Sequence, residues 1–183
     1  MKLLKKILLG LALIIGALLV VALFVSREYR IEREIVINQP KEQVFNYVSH
    51  LKNQDYFNKW AMQDPQMKKN FRGTDGAVGF VYAWDGNDNA GKGEQEIKSL
   101  VPGESVDIEI RFQKPMEAIA RTPFTTTAVS QNQTKVTWAM VGGYPYPCNL
   151  MHLVMEPMLG KDMETSLASL KGILEKDQLT SNQ

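Results

Sequence analysis

The chain has 183 residues, with 21 basic against 20 acidic side chains, a net charge of +1 and one cysteine, Cys148. No basic patch stands out, so the electrostatic footprint of a nucleic-acid binder is absent. One thiol excludes a disulfide framework and a cysteine zinc site within a single chain.

Lys2, Lys5 and Lys6 precede an apolar run, Ile7 to Val25, that holds no charge and no proline. Nineteen helical residues cover roughly 28 Å, about the hydrocarbon thickness of a bilayer. The run exceeds the apolar core of a signal peptide and ends Leu23-Phe24-Val25-Ser26-Arg27, without a small-x-small cleavage site. Residues 1–26 therefore read as an uncleaved, single-pass membrane anchor. Gly10 and Gly16 do not stand at the spacing of a helix-dimer motif. Arg27, Arg30 and Arg33 nearly balance the leading lysines. Long following domains cross largely regardless of charge, so the expected placement of the domain is extracytoplasmic.

Residues 27–177 are long enough for one domain with a real core, and 178–183 read as a polar tail. Taking Lys2, Lys5 and Lys6 from the 21 basic residues leaves 18 against 20 acidic. Tyr29 to Asn38 alternates and predicts a first strand. Asn38-Gln39-Pro40 opens a helix whose Val44, Phe45, Val48 and Leu51 share one face. Asn53 to Pro65 is aromatic-rich and irregular. Strands follow at Met67 to Arg72, Val78 to Trp84, Glu94 to Val101 and Ser105 to Phe112. The next, Glu117 to Val129, is interrupted near Pro123, and Thr134 to Val141 is the last. In Ser105 to Phe112, Val106, Ile108, Ile110 and Phe112 oppose Asp107, Glu109 and Arg111. Asn149 to Lys176 predicts a long helix that Pro157 and Gly160 break or kink. Beyond them, Met163, Leu167, Leu170 and Leu174 form an apolar stripe. Strands grouped between helices predict an α+β domain with a curved antiparallel sheet around a long C-terminal helix.

Four stretches carry a family resemblance. Glu34-Ile35-Val36-Ile37-Asn38-Gln39-Pro40-Lys41-Glu42-Gln43-Val44-Phe45 resembles the opening strand and helix of the SRPBCC or START-like superfamily, which includes polyketide cyclase/dehydrase and lipid transport proteins. Trp84-Asp85-Gly86-Asn87 through Gly91-Lys92-Gly93-Glu94 resembles its central hairpin, and Thr134-Lys135-Val136-Thr137-Trp138 its last strand. Met155 to Leu170, with Gly160-Lys161-Asp162-Met163-Glu164, is similar to its terminal helix. The chain departs at Asn53-Gln54-Asp55-Tyr56-Phe57, where related sequences often read Asn-Trp-x-x-Trp. The resemblance implies a helix-grip fold with a hydrophobic cavity between sheet and terminal helix.

Several residues are candidates for chemistry. Asp85, Asn87, Asn89 and Glu96 fall at calcium-loop spacing, but the sixth position is Ala90 and the flanks read as strands, so a hairpin turn is expected and no metal or cofactor. Glu94 and His152 are the weak catalytic candidates. Phe80, Tyr82 and Trp84 on one strand face, Trp138 on another, and Met151, Met155 and Met158 on the last helix are candidate ligand-lining residues. Ordinary core packing accounts for the same pattern. The expected function is a membrane-tethered binding domain for a small hydrophobic or amphipathic ligand: a lipid, quinone or polyketide-like molecule. A cyclase or dehydratase using the same cavity, and a protein-interaction module with an unknown partner, are the alternatives.

Overall fold

Period-two alternation builds one antiparallel sheet. Its strands are β1 (Glu28–Ile37), β2 (Lys68–Arg72), β3 (Val81–Asp85), β4 (Lys92–Val101), β5 (Ser105–Lys114), β6 (Ala118–Arg121), β7 (Phe124–Ser130) and β8 (Gln133–Gly143). The order across the sheet is β1-β8-β6-β5-β4-β3-β2, with β7 pairing β5 and β8. The helices are α1 (Lys2–Phe24), α2 (Lys41–Ser49), α3 (Gln54–Phe57) and α4 (Met151–Ser181). The structure, a computed structural model, describes residues 2–181, without the side chains of His152 and of residues 177–181. It is the expected α+β helix-grip architecture.

The inner face of the sheet is apolar because alternation puts Val106 and Ile108 there, both fully buried, while Asp107, Glu109 and Arg111 point outward. Val44, Val48 and Leu51 of α2 and its following turn close one end of that core. The Met163, Leu167, Leu170 and Leu174 stripe of α4 is buried as its spacing predicts. α4 lies along β1 and against α3. Its second half is fastened at the β1–α2 corner, where the Gln39 amide donates to the Leu174 carbonyl at 2.6 Å and the Asn38 N–H to Glu175 at 2.7 Å.

Two expectations need correction. Pro157 does not break the helix; α4 is continuous through it. Pro157 lacks the N–H that would bond the Leu153 carbonyl, but Leu153 is exposed, so the loss does not fall in the packed core. Gly160 is not a breaker either. The Arg33 guanidinium occupies the space a Cβ would take there, on its way to Glu164 at 2.6 Å. α4 runs on to Ser181, and Asn182 and Gln183 lie outside the described residues.

The loop with calcium-site spacing is a hairpin turn. The Asn87 side-chain oxygen accepts from the Asn89 and Ala90 N–H groups at 2.9 and 3.1 Å, and the Gly86 N–H donates to Gly91 at 2.9 Å. Gly91 has φ +66°, and a Cβ there would lie 2.5 Å from the Lys114 carbonyl oxygen, so only glycine fits.

Outside the sheet, Arg111 bridges three carboxylates: Glu94 at 2.9 Å, Glu96 at 2.8 Å and Glu109 at 2.5 Å. Arg72 adds a second bond to Glu94 at 2.8 Å, and Lys98 one to Glu96 at 3.1 Å. The Arg72 bond and then Arg111 hold Glu94 below the usual carboxylate range, and Arg111 and then Lys98 do the same for Glu96. A depressed carboxylate stabilises the fold above its unfolded pKa, and that contribution vanishes as pH falls through the folded value. Stability should therefore drop on acidification below about pH 4.5, and Arg111→Gln should flatten that drop. Urea midpoints measured between about pH 6 and pH 3 check this; equal slopes in both proteins would refute it.

Candidate functional site

The register places two rows of inner-face residues side by side. One holds Tyr82, Gln95, Ile110 and Ala120; the next holds Trp84, Gly93, Phe112 and Ala118. The Trp84 ring lies over Gly93, where a Cβ would be 2.8 Å from it, and meets Phe112 edge-on at 6.1 Å. Its indole N–H donates to the Ala90 carbonyl at 3.1 Å. Across β6 and β8, the Tyr29 ring covers Gly142 in the same way and stacks on Tyr144 at 5.7 Å. Between these aromatic side chains the sheet presents Ala118, which is exposed, and Ala120, which is buried. We refer to this strip of small side chains between aromatic ones as a trough.

Its lining is not sealed. Trp84, Ile110 and Phe112 are half-buried and pack against the core rather than within it. On α4, Met155 and Leu159 precede buried Met163 at four-residue steps, so they turn toward the sheet, and both are half-buried. Because α4 follows β1 and α3, it leaves this part of the inner face less covered than the β1–β8 part.

One edge of the trough is polar. Tyr82 donates its hydroxyl to Asp55 at 2.6 Å, and Lys69 pairs with the other Asp55 oxygen at 2.8 Å. Gln54 accepts from Asn58 at 2.9 Å and from Gln95 at 3.4 Å. Burial first, and the Asp55 hydrogen bond second, push the Tyr82 phenol far above its ordinary pKa, so it stays a donor. This edge can orient a polar head or supply a hydrogen bond to an oxygen.

The candidate residues divide. Trp84 and Met155 lie about the trough, half-buried, and Tyr82, 2% exposed, is buried beneath its polar edge. Phe80 and Trp138, each 1% exposed, are sealed in the core. Trp138 stacks on Phe124 at 4.8 Å and donates to the Thr122 hydroxyl at 2.5 Å. Met151 and Met158 are exposed on α4. Glu94 points to the outer face, where its carboxylate is bound by Arg72 and Arg111, so it takes no part in the trough. The His152 side chain lies outside the described residues. The sequence reading missed Asp55, Lys69, Phe112, Ala118 and Ala120. For Lys69 the available signal was its two-residue spacing from Phe71 on a short strand.

A separate open cleft of about 610 Å³ lies at the other end of the domain, lined by Asn46, His50, Lys52, Asn53, Asp75 and Leu174 among others. Its Asp75 carboxylate already accepts from the Leu51 and Lys52 N–H groups at 2.8 and 3.2 Å, and Tyr47 and Leu174 add apolar surface beside it.

The family described as polyketide cyclase / dehydrase and lipid transport matches residues 28–175. The chain belongs to that family. A crystal structure of a Mesorhizobium loti protein is 16% identical, with a TM-score of 0.59, over 81% of this chain and 98% of that one. Norcoclaurine synthase from Thalictrum flavum, in complex with dopamine and hydroxybenzaldehyde, is 8% identical with a TM-score of 0.61, over 81% and 87%. The Aha1 dimer from Colwellia psychrerythraea is 18% identical with a TM-score of 0.54, over 78% and 93%. At these identities the likeness is one of fold. No curated protein matches the chain. Family and fold together fit a domain that binds hydrophobic ligands.

Proposed function

We propose that this family member is a membrane-tethered domain that holds a small hydrophobic or amphipathic molecule, such as a lipid, quinone or polyketide-like compound, in the trough. The observation that supports this reading is the run of half-buried apolar side chains around Ala118 and Ala120, closed at one edge by Asp55, Lys69 and Tyr82. A guest would lay its apolar body on Trp84, Ile110 and Phe112 and turn its polar end to that edge. Covering about 300 Å² of apolar guest surface at about 25 cal/mol per Å² grosses roughly 7 kcal/mol before the costs of association. The tether is α1, 23 residues long, apolar and almost wholly exposed. The extracytoplasmic side is the one we favour for the domain.

Organic extraction of the purified full chain followed by mass spectrometry should yield a co-purifying apolar compound. Ala118→Trp should fill the trough and weaken binding of that compound at least about tenfold, equivalent to about 1.4 kcal/mol. Ala118 is exposed, so the substitution leaves the core alone. Failure to extract or bind any apolar compound, or unchanged affinity in Ala118→Trp, would refute the reading.

The Asp55–Lys69 pair beside the Tyr82 hydroxyl is the one arrangement that favours the cyclase or dehydratase alternative. Turnover of the extracted compound that Lys69→Met abolishes while binding persists would decide for it.

A further inference from the structure

The junction between α1 and the domain is a built contact. Asn149, fully buried, donates its amide to the carbonyls of Ala22 at 2.8 Å and Val25 at 2.9 Å. These are carbonyls at the end of α1 that have no partner along the helix. Ala22 is itself buried, the Tyr144 N–H donates to Arg27 at 2.9 Å, and the Tyr146 hydroxyl comes within 3.5 Å of the Leu19 carbonyl. The domain thus grips α1 over its last turns.

That grip fixes a depth. At about 1.5 Å per residue, a hydrocarbon core of about 30 Å counted from Ile7, the first residue past the lysines, ends near Ser26. Phe24 therefore stands close to the hydrocarbon boundary, and Leu19 lies roughly 7.5 Å deeper. Whatever touches α1 between Leu19 and Val25 sits at that boundary or just inside it. The residues doing so lead straight into the first two turns of α4, where Leu153, Val154 and Met158 are exposed and Glu156 is the sole acidic residue from Met151 to Met158. The turn between β5 and β6 is at the same end of the sheet. Arg121 of β6 faces Val141, so the chain before it runs toward Gly143, which abuts Arg27. That turn exposes Met116, and Ile119 is exposed just inside β6.

We propose that the first two turns of α4 and the β5–β6 turn rest on the bilayer that holds α1, so that these apolar side chains are a lipid contact. The inference rests on the tether reading above. An apolar rim joined rigidly to a spanning helix, at the hydrocarbon boundary, has lipid as its occupant. A partner protein would have to displace that lipid.

Spin labels test it in the full chain, reconstituted in vesicles of phosphatidylcholine and phosphatidylglycerol. Single cysteines would replace Val154, Met116, Ile14 or Val101 in a Cys148→Ser background. Val101 is an exposed residue of β4 beside the turn into β5, at the end of the sheet away from α1. Collision with a water-soluble nickel chelate should be several-fold lower at Val154→Cys and Met116→Cys than at Val101→Cys, and lowest at Ile14→Cys. If Ile14→Cys is shielded while Val154→Cys and Met116→Cys collide as freely as Val101→Cys, the lipid contact is overturned and the tether stands. If Ile14→Cys is open to the chelate, both fall.

Discussion

Trp138→Ala should cost about 3–5 kcal/mol of folding stability, the largest loss expected from any single substitution discussed for this domain. The side chain is 1% exposed and sits where several elements meet: it stacks on Phe124 of β7 and takes Trp60 edge-on at 5.9 Å. Its removal leaves a cavity whose walls are parts of different elements and cannot all collapse together. It also strips the Thr122 hydroxyl, itself buried, of its partner. Against a total of about 5–15 kcal/mol, such a loss brings the domain close to unfolding. Trp138→Phe keeps a stacking ring and should lose less. Urea unfolding of both proteins measures the difference, and a loss below about 1 kcal/mol for Trp138→Ala would show that the site repacks.

Gly93→Ala should cost about 1–3 kcal/mol and also disturb the trough. A Cβ at this position would lie 2.6 Å from the Arg111 carbonyl oxygen, which belongs to the neighbouring strand, and 2.8 Å from the Trp84 ring. The ring can swing away; the strand cannot without breaking its ladder. Swinging the ring forfeits the bond from the Trp84 indole to Ala90 and moves one aromatic wall. Repeating the substitution in a Trp84→Ala background separates the two clashes, since only the carbonyl contact remains there. A neutral Gly93→Ala, with Trp84 fluorescence unchanged, would mean that the strand gives way instead.

Much of this architecture is legible in the sequence because period and depth coincide. The first half of β5, where Val106 and Ile108 are buried, and the α4 stripe, where Met163, Leu167, Leu170 and Leu174 are, show this. The two tryptophans show where that ends. Trp84 and Trp138 both stand on the inner face, yet one is half-buried and the other sealed, because α4 follows β1 and leaves β3 less covered. Alternation fixes which side a residue faces; the line taken by a helix far away in sequence fixes how deep it lies. The break expected at Pro157 fails for a related reason. The rule concerns a lost hydrogen bond, and what that loss costs depends on whether the residue left without a donor, Leu153, is shut in the core. Asp55 and Lys69 meet only through the fold, from an irregular segment and a five-residue strand, so no local pattern announced them.

The far rim of the sheet has its own consequence. β2 ends the strand order, so one side of its backbone faces no neighbouring strand. Three of its five residues are Lys68, Lys69 and Arg72. Two copies meeting there antiparallel about Asn70 would set Lys68 directly opposite Arg72, a like-charge pairing that disfavours edge-to-edge growth. Domains crowded together in one plane would slide past each other instead of merging into a continuous ribbon.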